Sequence, residues 1–298
     1  MARKLAPRGL KRRFASSAVP TQWQESSFAE RAWEQARSAA TRWAIAGALL
    51  GLLIGIVVFA PAAWLARAVA SASGQRVLLA DARGTIWSGS AVTVLTGGPD
   101  SRDASALPGR LEWSMGLKGL GLELRLRQAC CLNDTVSVLL KPGLGRFSAT
   151  LAPKPDWAGQ WPGALLGGLG TPWNTLKLGG SLRLVSQGLK LEWVQGRWLV
   201  DGQADLMLMH ASSRVSPLES LGSYVFSVSG DAAGGTSQLR LSTTEGALQL
   251  TGEGTAGANG LRFHGEARAA TEADEAALTN LLNIIGRRKG AVSVISIG

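Results

Sequence analysis

The sequence predicts a membrane-anchored, mainly β protein: a single N-terminal transmembrane helix, then a large antiparallel, curved or half-open sheet domain with one or two short helices. Three observations carry this. Residues 43–66 contain no charged side chain. From about residue 77 onward, apolar and polar side chains alternate with a period of two. Gly, Asn, Asp or Pro separates most of the alternating runs, in a chain with 38 Gly among 298 residues.

The apolar run holds 24 residues, and a bilayer core needs about 20 as helix. Trp43 and Trp64 stand near its ends, at the headgroup level that indole rings favour. Pro61 lies near the exit, where a helix can bend or stop. A cleaved signal peptide would have a shorter apolar core and would start nearer the first residue. An uncleaved anchor is therefore expected. Gly47, Gly51 and Gly55 repeat a spacing that lets a second helix pack closely.

Charge gives the anchor a direction. The chain carries 31 Lys and Arg against 21 Asp and Glu, a net charge of +10. About +6 of this lies in the first 42 residues, including Arg8, Lys11, Arg12 and Arg13. Basic segments stay in the cytoplasm, so the N-terminus is expected inside and the remainder exported. A basic excess confined to a tail argues against a nucleic-acid face and suits anionic headgroups. Residues 26–40 read as a short helix running into the anchor, capped by Ser26 or Ser27. The expected organisation is a basic tail over 1–42, the anchor over 43–66, a linker over 67–75 and a β-rich periplasmic domain over 76–298.

Strands are expected around 77–79, 91–95, 111–115, 122–127, 136–140, 181–185, 189–194, 198–209, 224–228, 238–241, 247–250 and 261–264, closing with 292–297. Such alternation describes antiparallel sheet with one apolar and one wet face. One short helix is expected around 164–166. A stronger one spans 272–285, opened by acids and carrying a stripe of Leu278, Leu281, Leu282 and Ile285. Gly286 reads as its C-cap, followed by Arg287, Arg288 and Lys289. Residues 110–116 and 190–196 echo each other as R/K-L-E-W-x-x-G.

No catalytic set stands out, and no cofactor is implied. His210 and His264 lie in separate strand-like runs without acidic neighbours, which is not a metal-site pattern. Glu112 and Glu192 alternate with Leu and Trp, so they read as water-facing rather than as an acid/base pair. The paired glycines at 167–168, 179–180 and 234–235 read as turns. The two cysteines, Cys130 and Cys131, are adjacent. They read either as small side chains on opposite faces of a strand or as a vicinal disulfide, which an oxidising compartment favours. Eleven Trp against one Tyr read as sheet packing or as an apolar binding face.

Four motifs stand out in order: Gly84-Thr85-Ile86-Trp87-Ser88-Gly89, Leu107-Pro108-Gly109-Arg110-Leu111-Glu112-Trp113, Pro217-Leu218 to Gly222-Ser223-Tyr224, and 281–288 ending in Gly286-Arg287-Arg288. Together they resemble the type II secretion system protein N family. The resemblance implies a non-enzymatic accessory subunit in the inner membrane, with other inner-membrane and periplasmic secretion subunits as partners. It carries no catalytic residues to transfer. A lipid carrier of the AsmA-like kind is the competing expectation, with an acyl chain as a possible ligand and no nucleic acid in either case.

Overall fold

The computed structural model describes residues 22–298 except 155, 232–234 and 258–259, with side chains from Ala40 onward. The basic cluster from Arg8 to Arg13 lies outside the described residues. Helix α1 (Gln22–Val58) is continuous, so Ser26 and Ser27 lie within it rather than at its start. Its segment Ala40–Val58 is long and apolar enough to cross a membrane. Phe59 to Pro61 break the helix, and α2 (Ala62–Ala72) follows. The second helix takes in the end of the apolar run and most of the segment read as a linker.

Two compact units result, Met1–Val57 and Val58–Gly298. The second is built on one antiparallel sheet of 16 strands. Its first half contains β1 (Val77–Gly84), β2 (Ser88–Thr96), β3 (Ala104–Ala106), β4 (Leu111–Lys118), β5 (Gly121–Arg127), β6 (Val136–Gly143) and β7 (Arg146–Leu151). A short β8 (Gly159–Pro162), a 3-10 turn (Gly163–Leu169) and the single-turn α3 (Trp173–Leu176) follow. Two long strands, β9 (Leu178–Val194) and β10 (Arg197–Ser213), form the middle. The second half holds β11 (Gly222–Asp231), β12 (Thr236–Glu245), β13 (Leu248–Gly257), β14 (Gly260–Ala269), α4 (Glu272–Ile285), β15 (Arg287–Lys289) and β16 (Val292–Ile297). Sequence neighbours pair almost throughout, from β1 at one edge to β15 at the other. The sheet is an open meander.

The long hairpin joins the halves. Residues 189–194 of β9 pair with β7, while 181–184 pair with β8. The far end of β10 pairs with β11. Bulging of one extra residue lets a single apolar face run through both halves. Gln203 pairs with Gly188 but Ala204 pairs with Ser186, so Gln187 is bulged. Before the bulge the apolar side chains are even-numbered, Leu182 and Leu184; after it they are odd-numbered, Leu189, Leu191 and Trp193. Side chains alternate strictly in a strand, and a bulge restores the phase by one residue. Gly188 and Gly202, both at positive φ, let the strands meet there. A Cβ on Gly202 would lie 2.0 Å from the Gly188 carbonyl oxygen.

Helices cover parts of this face. Helix α2 lays Ala62 and Leu65 against Leu79, Ala91 and Trp113. Helix α4 buries Leu278, Leu281 and Leu282 almost completely against β13, β14 and their neighbours. Its Thr271 cap accepts a hydrogen bond from the Asp274 N–H, and Glu272, Asp274 and Glu275 occupy the positive end of the helix dipole. Replacing Thr271 with Ala is expected to lower stability by about 1 kcal/mol, measurable by urea unfolding of the nanodisc-embedded chain. Gly286 is not a left-handed cap. Its backbone is extended, and glycine fits because a Cβ would stand 2.4 Å from the Val294 carbonyl oxygen. Gly179 and Gly180 lie within β9 rather than in a turn.

Candidate functional site

The four sequence motifs gather at two places. The first is a socket where the chain leaves the anchor. Residues 84–89 form the β1–β2 turn. Within it the Thr85 N–H donates to the Ser88 carbonyl at 2.9 Å, and Thr85 Oγ1 accepts from the N–H groups of Trp87 and Ser88 at 3.2 Å each. The turn holds the incoming chain through an Ile86 N–H bond to the Ala60 carbonyl, 2.9 Å, and a bridge between Pro61 and Thr85. Trp113 closes it from β4: its Nε1 donates to the Thr85 carbonyl at 3.2 Å, and its ring lies where a side chain on Gly89 would stand. Gly89→Ala puts a Cβ 2.4 Å from the Arg83 carbonyl oxygen and 2.6 Å from the Trp113 ring. The substitution is expected to destabilise by about 1–3 kcal/mol and to shift Trp emission to longer wavelength.

The second motif fastens the socket to the sheet. Leu107 is buried and its N–H donates to the Thr93 carbonyl. Arg110 reaches Asp81 through Nη1 at 2.7 Å and bonds the Asp81 and Ser90 carbonyls through Nη2. It thereby ties down the irregular step in β1 between Ala80 and Arg83. Arg110, then Arg83, hold the Asp81 carboxyl below its ordinary value. A carboxyl shifted down on folding stabilises above its unfolded pKa, and the effect is lost as pH falls through the folded value. The clamp is therefore expected to persist at neutral pH and to release only in acid. Pro108 lies beside the Cys130–Cys131 pair, which is a vicinal disulfide in this structure.

The third and fourth motifs meet at an apolar groove in the second half of the sheet. Its volume is about 1140 Å³, just above the range of roughly 300–1,000 Å³ for small-molecule sites. Leu208, Phe226, Leu241, Leu250 and Phe263 form its floor, and Leu281 and Ile285 of α4 and Trp173 line its sides. Register explains the floor: Leu206 pairs with Phe226, Phe226 with Leu241, Leu241 with Gly252 and Gly254 with Phe263, so one face receives all of them. Tyr224 closes one end. Burial pushes its phenol pKa up, and its Oη donates to the Leu248 carbonyl at 3.0 Å. Gly222, at φ +141, allows the turn into β11, where a Cβ would stand 2.2 Å from the Glu245 carbonyl. Arg287 and Lys289 are exposed at the rim, and among the described residues no carboxylate side chain lines the groove.

The structure scatters the remaining candidates. Trp43 is exposed on α1, and Trp64 is half exposed on α2. Glu192 pairs with Lys190 at 2.6 Å, which lowers its pKa, while Glu112 lies across the sheet on β4. His210 sits at an irregular step of β10, and His264 is exposed beside the groove. Among the described residues no His, Cys, Asp and Glu side chains converge as a metal site. The groove itself escaped sequence reasoning. Its lining comes from strands far apart in the chain, and only the shared alternation pointed to it.

Fold and sites together define a class: a single-pass membrane protein whose apolar N-terminal helix leads into an open antiparallel sheet with one greasy face. The family model described as Type II secretion system (T2SS), protein N, matches residues 75–295. The chain belongs to that family. No curated protein and no solved structure matches it.

Proposed function

We propose that this chain is a non-enzymatic accessory subunit of the inner-membrane platform of the type II secretion system. Its N-terminus is cytoplasmic and its sheet domain periplasmic. The observation that carries this is the family match over 75–295, on a chain whose apolar helix follows a basic tail. The socket built from the β1–β2 turn, Ala60 and Trp113 supports a role as a well-defined contact surface on the sheet domain. The subunit acts by contact, and the motif residues around Gly84–Gly89 and Trp113 shape the contacting unit. Cysteine-directed crosslinking from exposed positions in β1, in the native host, tests the reading. Crosslinks to other secretion subunits are expected; crosslinks to none of them overturn it.

The groove favours a second reading, lipid binding. An apolar cavity of about 1140 Å³ with Arg287 and Lys289 at its rim matches an acyl chain joined to an anionic headgroup. Lipid mass spectrometry of the purified chain, after exhaustive detergent exchange, separates the two. Stoichiometric retained phospholipid that Phe226→Asp abolishes supports this reading, and its absence leaves the groove to a protein partner.

A further inference from the structure

The large apolar side chains exposed on the second unit fall into two groups. Trp173, Leu261 and Ile297 line the groove, and Ile284 is the chain neighbour of groove-lining Ile285. Apart from Val58 at the end of α1, the others, Phe59, Trp64, Leu117, Leu120, Leu144, Leu191, Trp193 and Trp198, lie at the opposite half of the sheet. They share one end of the strands. In an antiparallel meander every second hairpin turns at the same end. The β1–β2, β4–β5, β6–β7 and β9–β10 turns therefore all point one way. Leu120 and Leu144 are fully exposed at two of these tips, Leu117 is 88% exposed and Trp198 is 59% exposed. The first of these four turns is the one that holds Ala60 and Pro61, directly after the membrane-spanning segment.

We infer that these hairpin tips form a second membrane contact, resting on the anionic bilayer surface from which the anchor emerges. Two independent features choose lipid over a protein partner. The first is charge. Two of the tips couple an exposed apolar residue to exposed cations outside the ion pairs: Lys141 and Arg146 around Leu144, and Arg197 beside Trp198; at a third, Lys118 beside Leu120 is held by Glu123. The nearby acids Glu123 and Glu192 are already paired, with Lys118 and Arg125 and with Lys190. Trp and Leu flanked by Lys and Arg is the composition that settles at headgroup depth. The second is continuity. The row of tips begins at the anchor exit, where Phe59 and Trp64 are exposed.

The pairing registers fit such a contact. Ser88 pairs with Ser114, Leu122 with Leu140 and Arg146 with Val194. From the β1–β2 turn to the last two tips the row climbs by about six residues, roughly 20 Å, across six strand spacings, roughly 29 Å. Strands inclined by about 35–45°, as in closed sheets, bring turn and tips to one plane. The sequence echo acquires a meaning here. Trp113 of the first copy is buried under α2, while Trp193 of the second is uncovered.

The test uses the full chain in vesicles of phosphatidylethanolamine, with and without phosphatidylglycerol. A nitrobenzoxadiazole label is placed at Leu120→Cys or Leu144→Cys, with Asp156→Cys at the far end as control. With phosphatidylglycerol present, headgroup-level brominated lipid is expected to quench the first two labels strongly and the control not at all. Replacing Lys141, Arg146 and Arg197 singly with Gln is expected to lower the docked-to-undocked ratio about fivefold each, from ~1 kcal/mol per surface cation. Labels at 120 and 144 as open to aqueous iodide as the control label overturn the inference. So does shielding that arises only when other secretion subunits are present.

Discussion

Gly202→Val is expected to destabilise the second unit by about 2–6 kcal/mol, whereas deletion of Gln187 leaves it folded. Gly202 stands at φ +90, and a Cβ there would lie 2.0 Å from the Gly188 carbonyl oxygen. That oxygen is backbone and cannot move aside without parting β9 from β10. Left-handed strain on a β-branched residue and overpacking cost about 1–3 kcal/mol each, a large share of a total stability of about 5–15 kcal/mol. Deleting Gln187 removes only the extra residue of β9. Ser186 stays opposite Ala204 and Gly188 opposite Gln203. Leu182, Leu184, Leu189, Leu191 and Trp193 then follow one another at even spacing on one face, so pairing and faces both survive. Circular dichroism and protease resistance of the nanodisc-embedded chain distinguish the two variants.

The second large effect concerns α4. Leu278, Leu281 and Leu282 are almost completely buried, and truncating a buried Leu to Ala typically costs about 2–5 kcal/mol, rising with the cavity left behind. Location separates the sites. Leu281 borders the groove, whereas Leu278 and Leu282 do not line it. Leu278→Ala leaves an enclosed void and is expected near the top of that range. Leu281→Ala opens into space already present and is expected near the bottom. Urea unfolding of the two variants compares them directly. Equal losses would mean that the groove is closed by motions the static fold does not display.

The sequence was most informative where one physical signal acted alone. Acids followed by a leucine stripe bounded α4 at 272–285, as the structure has it, because nothing competes with that pattern. Alternation located most strands. It divided β9 into 181–185 and 189–194, since the parity change at Gln187 looks like an end when the long partner β10 is unknown. The anchor's far boundary was hidden for another reason. Ala62 and Leu65 are apolar because they pack on Trp113 and its neighbours, and composition does not distinguish a sheet from a bilayer. Gly286 was read from its position after a helix, but the close passage of Val294 requires it. The motif glycines were visible as letters, while the backbone contacts that demand them come from strands many residues away. The hairpin tips carried no signal at all, since a lone Leu beside Gly is an ordinary turn.

The central claim is that this chain serves type II secretion as a membrane-anchored contact subunit. The most direct measurement is an in-frame deletion in the native host, followed by fractionation of a type II substrate. The account predicts that the substrate accumulates in the periplasm, and that the full chain restores its release while a chain lacking residues 75–295 does not. Normal release of every type II substrate from the deletion strain would contradict it.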